Sequence, residues 1–225
     1  MNTKNNNYSL ISTIKREWYL LAILLITFII GIYVYPDLPT NVPSHWNIHG
    51  EIDGWSSKTF AVIFYPLLNL ILYPLMLIFP KLDPRSDNYS RFAGAYKAIR
   101  IFLHLFLAFI YLLTLVIALG YPIKMDIIVR ASISILFILI GNYMGKFQHN
   151  YFVGIKTPWT LANEQVWRKT HRLAAPLWVG VGTIGFFLSF FQGSWAGYTQ
   201  FALFLLMAFI PIIYSYFAYR NLNKS

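Results

Sequence analysis

Four residues in one short stretch, His45, His49, Glu51 and Asp53, are of the types that hold a divalent cation or carry a proton. Imidazole and carboxylate both suit zinc. His45 and His49 stand at the H-x-x-x-H spacing, which brings two imidazoles together only on a helix, and Gly50 and Gly54 oppose a helix there. The stretch from Pro36 to Lys58 also holds Pro39, Pro43, Trp46 and Trp55. That composition predicts a defined non-helical turn structure at the membrane surface, with the tryptophans as interfacial anchors. A packing or recognition loop is the leading expectation, and a metal site on His45, His49 and Asp53 the alternative. The chain has no cysteine, which excludes thiolate metal sites and cysteine nucleophiles.

A second polar stretch runs from Lys146 to Arg172. Thr160 or Asn163 can cap a helix whose first turn carries Glu164, favourable at the positive end of the helix dipole. That helix would present Val166, Trp167 and Thr170 beside Lys169 and Arg172. The pattern suits a basic segment lying in the lipid head groups and binding anionic lipid, or equally a docking surface for a protein. No G-x-S-x-G, H-E-x-x-H or phosphate-cradling glycine loop occurs, so no enzyme and no cofactor is expected.

Both stretches need a frame, and composition says what it is. Of 225 residues, 57% are hydrophobic and 12% charged, against roughly 45–50% and about 25% in soluble domains. Six runs approach the length of about 20 apolar residues that a bilayer requires: Trp18 to Pro36, Thr59 to Pro80, Ile101 to Ile123, Ile127 to Gly145, Leu173 to Phe191 and Tyr198 to Tyr219. The expected fold is an all-α membrane protein, a bundle of six transmembrane helices with no separate soluble domain. The first run lacks a small-x-small cleavage site and reads as an uncleaved anchor. Pro66, Pro74 and Pro211 mark bends.

Fifteen of the 18 Lys and Arg fall on one side of this arrangement, leaving Lys58 and Lys124 on the other, with Arg130 expected to snorkel to its helix end. Positive residues stay inside, which places both termini in the cytoplasm, the 37–58 loop outside and the 146–172 loop inside. The net charge of +10 then points to anionic lipids rather than to direct nucleic-acid binding. Within the spans the strongly polar residues are Asn69, His104, Arg130 and Asn142, with no Asp or Glu. That lack argues against a proton-coupled transporter, and His104, a turn from Arg100, reads as a packing or surface residue.

The run Asn150-Tyr-Phe-Val-Gly154-Ile-Lys156-Thr157-Pro158-Trp159-Thr160-Leu161-Ala-Asn163-Glu164-Gln-Val-Trp167 resembles the N-x-x-x-G-[IL]-[RK]-T-P-W-T-L-x-[NS]-E-x-V-W signature of the SdpI family, bacterial membrane immunity proteins. The stretch from Leu38 to Gly54 resembles the P-x-x-[IV]-P-x-H-[WF]-N-x-x-G-x-x-D-G motif of a small membrane domain that often precedes it. The resemblance implies a multi-pass cell-membrane protein with two parts, residues 1–100 bearing the outer loop and 101–225 bearing the inner one. It implies resistance to a secreted antimicrobial peptide such as the SDP toxin, and signalling in which a cytoplasmic winged-helix autorepressor is held at the membrane. The toxin-facing residues would be His45, Trp46, Asn47, His49, Gly50, Asp53 and Gly54. The partner-facing residues would be Asn150, Gly154, Lys156, Thr157, Pro158, Trp159, Thr160, Leu161, Trp167 and His171. Lys156 stands where the family commonly has Arg, and only Arg offers a bidentate fork.

Overall fold

Long apolar runs become helices in a bilayer because each backbone amide must find its partner within its own segment. The computed structural model describes residues 9–47 and 51–222. Helices α1 (Leu10–Arg16) and α2 (Trp18–Val34) lead through a 3-10 turn, Tyr35–Asp37, into strands β1 (Asn41–Trp46) and β2 (Ile52–Ser57). Then come α3 (Lys58–Leu82), a 3-10 segment (Ser86–Phe92), α4 (Ala93–Ala118), α5 (Met125–Met144), the short α6 (Pro158–Ala162), α7 (Glu164–Leu188) and α8 (Ser194–Leu222). Side-chain caps set several starts: the Ser9 hydroxyl accepts from the Ser12 amide, and Ser57 accepts from that of Phe60.

Among the described residues, five segments are long and apolar enough to cross a membrane: Trp18–Asp37, Lys58–Leu82, Ser86–Ala118, Met125–Met144 and Ser194–Leu222. The chain is an all-α membrane protein, with one small β-hairpin inserted. The expected sixth run, from Leu173, is the second half of α7, whose first turns carry Arg168, Lys169 and Arg172, so that helix as a whole falls outside the five. The third run begins earlier than its apolar pattern, because α4 continues back through Arg100 and Lys97 to Ala93. Large apolar side chains such as Ile29, Leu67, Phe201, Phe209 and Ile213 lie exposed on the bundle's outside, as a lipid-facing surface requires.

Helix α7 lies between α5 and α8 and makes its most extensive packing with α5. Gly141 and Gly182 permit it: a Cβ at Gly141 would lie 2.9 Å from the Val179 nitrogen, and one at Gly182 the same distance from the Ser134 carbonyl oxygen. Such small residues let two backbones approach where no hydrophobic drive separates helix from lipid. Arg130 reaches back toward the start of α5, its Nε donating to the Asp126 carbonyl at 3.1 Å. Its guanidinium bonds the Ser189 carbonyl at 3.2 Å, 3.5 Å from Asp126, tying α5 to the end of α7.

Helices α2, α3 and α4 pack around Leu20, Leu24, Tyr73, Leu77 and Ala108. At one end of this trio sits a polar chain that the expectation of spans without carboxylates misses. Glu17, immediately before α2, is buried and takes two bonds from Arg100 of α4, at 3.1 and 2.6 Å, and one from the Tyr73 hydroxyl at 3.4 Å. One turn deeper, His104 is fully buried with its Nδ1 2.6 Å from Asn69 Oδ1, and Asn69 donates to the His104 carbonyl at 3.1 Å. His104 is thus a packing residue. Asn142, by contrast, faces outward.

Candidate functional site

The two motif regions occupy opposite ends of the bundle. At the first, β1 and β2 pair antiparallel, with Pro43 opposite Trp55 and His45 opposite Gly54, and ladder irregularities on both sides of His45. Val42 is fully buried over α3 and α4, in a cluster with Leu38, Val62, Tyr111 and Leu115. Lys58 fixes the base, its ammonium donating to the Tyr35 and Leu38 carbonyls at 3.3 Å each. The expected non-helical turn structure is therefore a seated hairpin.

Asn47, Gly54, His45 and Asp53 of the motif each make a contact within the hairpin. The Asn47 side chain donates to the Glu51 carboxylate at 2.9 Å and accepts from the Glu51 amide at 3.1 Å, clamping the two ends of the tip. Gly54 gives His45 room, since a Cβ would lie 2.7 Å from the His45 Cβ. His45 Nδ1 lies 2.5 Å from Asp53 Oδ1, and these side chains are 71% and 43% exposed. Exposed pairs contribute only about 0–1 kcal/mol to stability, so this pair adds little to the hold on the fold. Trp55 is 59% exposed and Trp46 half-buried. His49 and Gly50 lie outside the described residues. Among the described residues no three of His, Cys, Asp and Glu come together, and the His45, His49 and Asp53 set includes a residue outside them.

At the other end, residues 145–163 fold into a tight cradle. Asn150, fully buried, accepts from the Phe152 and Val153 amides at 2.9 and 2.7 Å and donates to the Gln148 and Val153 carbonyls, closing a turn. Gly154 follows at φ +115°, in the region that favours glycine. Thr157 and Thr160 form a reciprocal capping box that starts α6 at Pro158. The Thr157 hydroxyl also meets Ser215 of α8 at 3.0 Å, and Trp159 lies edge-on to Tyr216 at 5.2 Å. Asn163 then caps α7, accepting from Gln165 and Val166, as its sequence position predicts.

Trp167 and His171 lock this cradle. The indole donates to the Phe147 carbonyl at 2.8 Å, His171 Nδ1 donates to the Trp167 carbonyl, and His171 Nε2 accepts from the Ile155 amide at 3.0 Å. The two rings stack at 4.1 Å. Val166, Trp167 and Thr170 are fully buried, which corrects the expectation that this face lies in the head groups. Large apolar side chains with a protein wall available turn inward, and the charged Arg168, Lys169 and Arg172 take the outside. Of the signature residues, Lys156 and Pro158 are exposed, Trp159 and Leu161 half-buried, and the rest chiefly shape the loop.

Burial, with a smaller contribution from neighbouring His149, pushes the His171 imidazole down to about 4 from 6.5, and its bond to the Trp167 carbonyl opposes this only in part. His149 is also lowered, by burial and then by Arg85. The unfolded chain thus binds a proton at His171 that the folded chain refuses, so stability is complete above pH 6.5 and falls between there and about pH 4. The expected loss is roughly 3 kcal/mol from His171. Unfolding midpoints measured across that range should fall with pH, and His171→Gln should flatten the slope.

Sequence reasoning overlooked Asp83, because an Asp between Lys81 and Arg85 reads as a solvated connector. It is buried, accepting from the Arg85 and Tyr151 amides at 2.8 Å each and from the Tyr89 hydroxyl at 3.1 Å. Arg85 reaches across to the Leu161 carbonyl and stacks over Tyr151, and Asn88 donates to the His149 carbonyl. The connection after α3 is therefore built into the same cradle. The Asp-Pro pair that ends α3 was the available signal.

The SdpI/YfhL protein family matches residues 146–215, the cradle with α7 and most of α8. A domain of unknown function (DUF1648) matches residues 22–70, which contain the hairpin. The chain is 30% identical over 211 residues to Immunity protein SdpI of Bacillus subtilis (strain 168), covering 94% of this chain and 99% of that protein. No solved structure matches.

Proposed function

The chain belongs to the SdpI/YfhL family and is a multi-pass bacterial membrane protein, and from that premise we propose that it confers immunity to a secreted antimicrobial peptide. The observation that carries this reading is a likeness running the full length of a relative named for immunity. In this reading the second half of α7 makes a sixth crossing, both termini are cytoplasmic and the hairpin faces outward, in keeping with the lysine and arginine asymmetry. Residues 1–100 carry the toxin-facing part and residues 101–225 most of the cytoplasmic cradle, to which Asp83, Arg85 and Asn88 also bond.

The hairpin is suited to meeting an amphipathic peptide. It offers exposed Trp55 and Ile52 beside the His45–Asp53 pair, fixed from below by buried Val42 and by Lys58. Trp46, Asn47 and Gly54 shape that surface, and the resemblance adds His49 and Gly50, which lie outside the described residues. On the other face Lys156, Pro158 and the open side of Trp159 form the patch from which a winged-helix autorepressor would be held, with Asn150, Gly154, Thr157, Thr160, Leu161, Trp167 and His171 keeping it in shape. The protein works by binding rather than by catalysis.

Expression in a bacterium sensitive to purified SDP peptide tests the proposal. Survival should rise with the protein in the membrane, and a Trp55→Ala/Asp53→Ala variant at equal level should lose most of that gain. A fluorescent autorepressor should move to the membrane on toxin addition, and Lys156→Glu should prevent the move without removing protection. Survival equal to that of cells lacking the protein would overturn the immunity reading.

A further inference from the structure

A cleft of about 520 Å³ opens between the start of α4 and the end of α5, lined by Arg91, Phe92, Gly94, Tyr143, Lys146 and Gln148 among others. None of its lining residues is acidic, and neither Arg91 nor Lys146 is paired with a carboxylate among the described residues. The Lys146 ammonium stands 5.2 Å from the centre of the Tyr143 ring. Helix α4 starts here, and its N-cap Phe92 supplies no side-chain oxygen to the first amides. The positive end of a 26-residue helix thus adds to two cations at one concavity. Phe92 and Ala95 are buried in its floor.

From this we propose that the cleft binds the phosphate head group of an anionic phospholipid. Position decides the source of the phosphate. The cleft lies at the end shared by two adjacent membrane-crossing segments, Ser86–Ala118 and Met125–Met144, which is the depth of the head-group layer. Further along, the same helices expose Leu105, Phe109 and Ile135 to acyl chains. Basic pockets between membrane helices recognise such head groups through charge and hydrogen bonds together. The site differs from the Lys169 and Arg172 face, and it holds whether or not the protein confers immunity. Because Lys146 opens the segment leading to Asn150, a bound lipid would brace the cradle from its first residue.

The test uses full-length protein in detergent, titrated with phosphatidylglycerol or phosphatidylcholine and read by native mass spectrometry. Phosphatidylglycerol should bind with clear preference, and Arg91→Gln/Lys146→Gln should weaken it by roughly thirtyfold. Gly94→Asp gives an independent check: a Cβ at Gly94 meets nothing within 4 Å, and a carboxylate suits the first turn of a helix, so the fold survives while the cleft gains a negative charge. That variant should also lose phosphatidylglycerol, and Lys169→Gln/Arg172→Gln should keep it. Equal binding of the two lipids, or retention of phosphatidylglycerol by the Gly94→Asp protein, would overturn the proposal. So would full displacement of the lipid by millimolar inorganic phosphate, which would make this a site for free phosphate.

Discussion

Arg100→Leu is expected to cost about 3–5 kcal/mol, enough to keep most of the protein from accumulating in the membrane. The reason is Glu17, which together with Arg100 is only 2% exposed in its side chain. Two charge-assisted bonds hold its carboxylate, and removing the guanidinium strands a negative charge among Leu20, Tyr73 and Leu77. Glu17→Leu should be similarly harmful, stranding Arg100 instead. The double variant Glu17→Leu/Arg100→Leu should recover most of the loss, because a buried pair replaced by apolar groups of similar volume is often neutral. Thermal unfolding of the four proteins in detergent measures the coupling. Single variants within 1 kcal/mol of the parent would show that the pair does not hold α2 against α4.

Gly154→Ala is expected to cost about 2–6 kcal/mol, adding backbone strain to a steric clash. At φ +115° an added Cβ would lie 2.4 Å from His171 Nε2 and 3.2 Å from two atoms of the Trp167 ring. His171 cannot retreat without releasing the Ile155 amide, nor Trp167 without releasing the Phe147 carbonyl. Gly94→Ala is the matched control, with open space around the new methyl; helix propensity there favours alanine by up to about 1 kcal/mol. Hydrogen exchange at Ile155 separates the two: fast in Gly154→Ala, unchanged in Gly94→Ala. Slow exchange at Ile155 in Gly154→Ala would remove the locking role assigned to these rings.

The membrane class was legible because it rests on composition and run length, which survive any detail of packing. The non-helical outer loop was legible too, since Pro39, Pro43, Gly50 and Gly54 leave a helix few options, and the Asn163 cap followed from local chemistry alone. What escaped depended on partners far away in the chain. Glu17 and Arg100 are 83 residues apart, and each taken alone reads as an ordinary flank of a membrane span. Trp167 and Thr170 read as a face for lipid or a docking partner, because an amphipathic helix looks the same whether its apolar face meets lipid, a partner or a loop of its own chain. The loop that covers them is held by Asp83, whose surroundings in sequence are charged and whose surroundings in space are not.

The most direct test of the central claim is site-resolved cross-linking of purified SDP peptide to the protein in cells. A photoreactive residue in place of Trp55 on the hairpin, or of Trp159 on the cradle, reports which end the toxin meets. The account predicts a toxin adduct at position 55, competed by excess unlabelled peptide, and none at position 159. An adduct confined to position 159, or none at either position in cells that the protein protects, would contradict it.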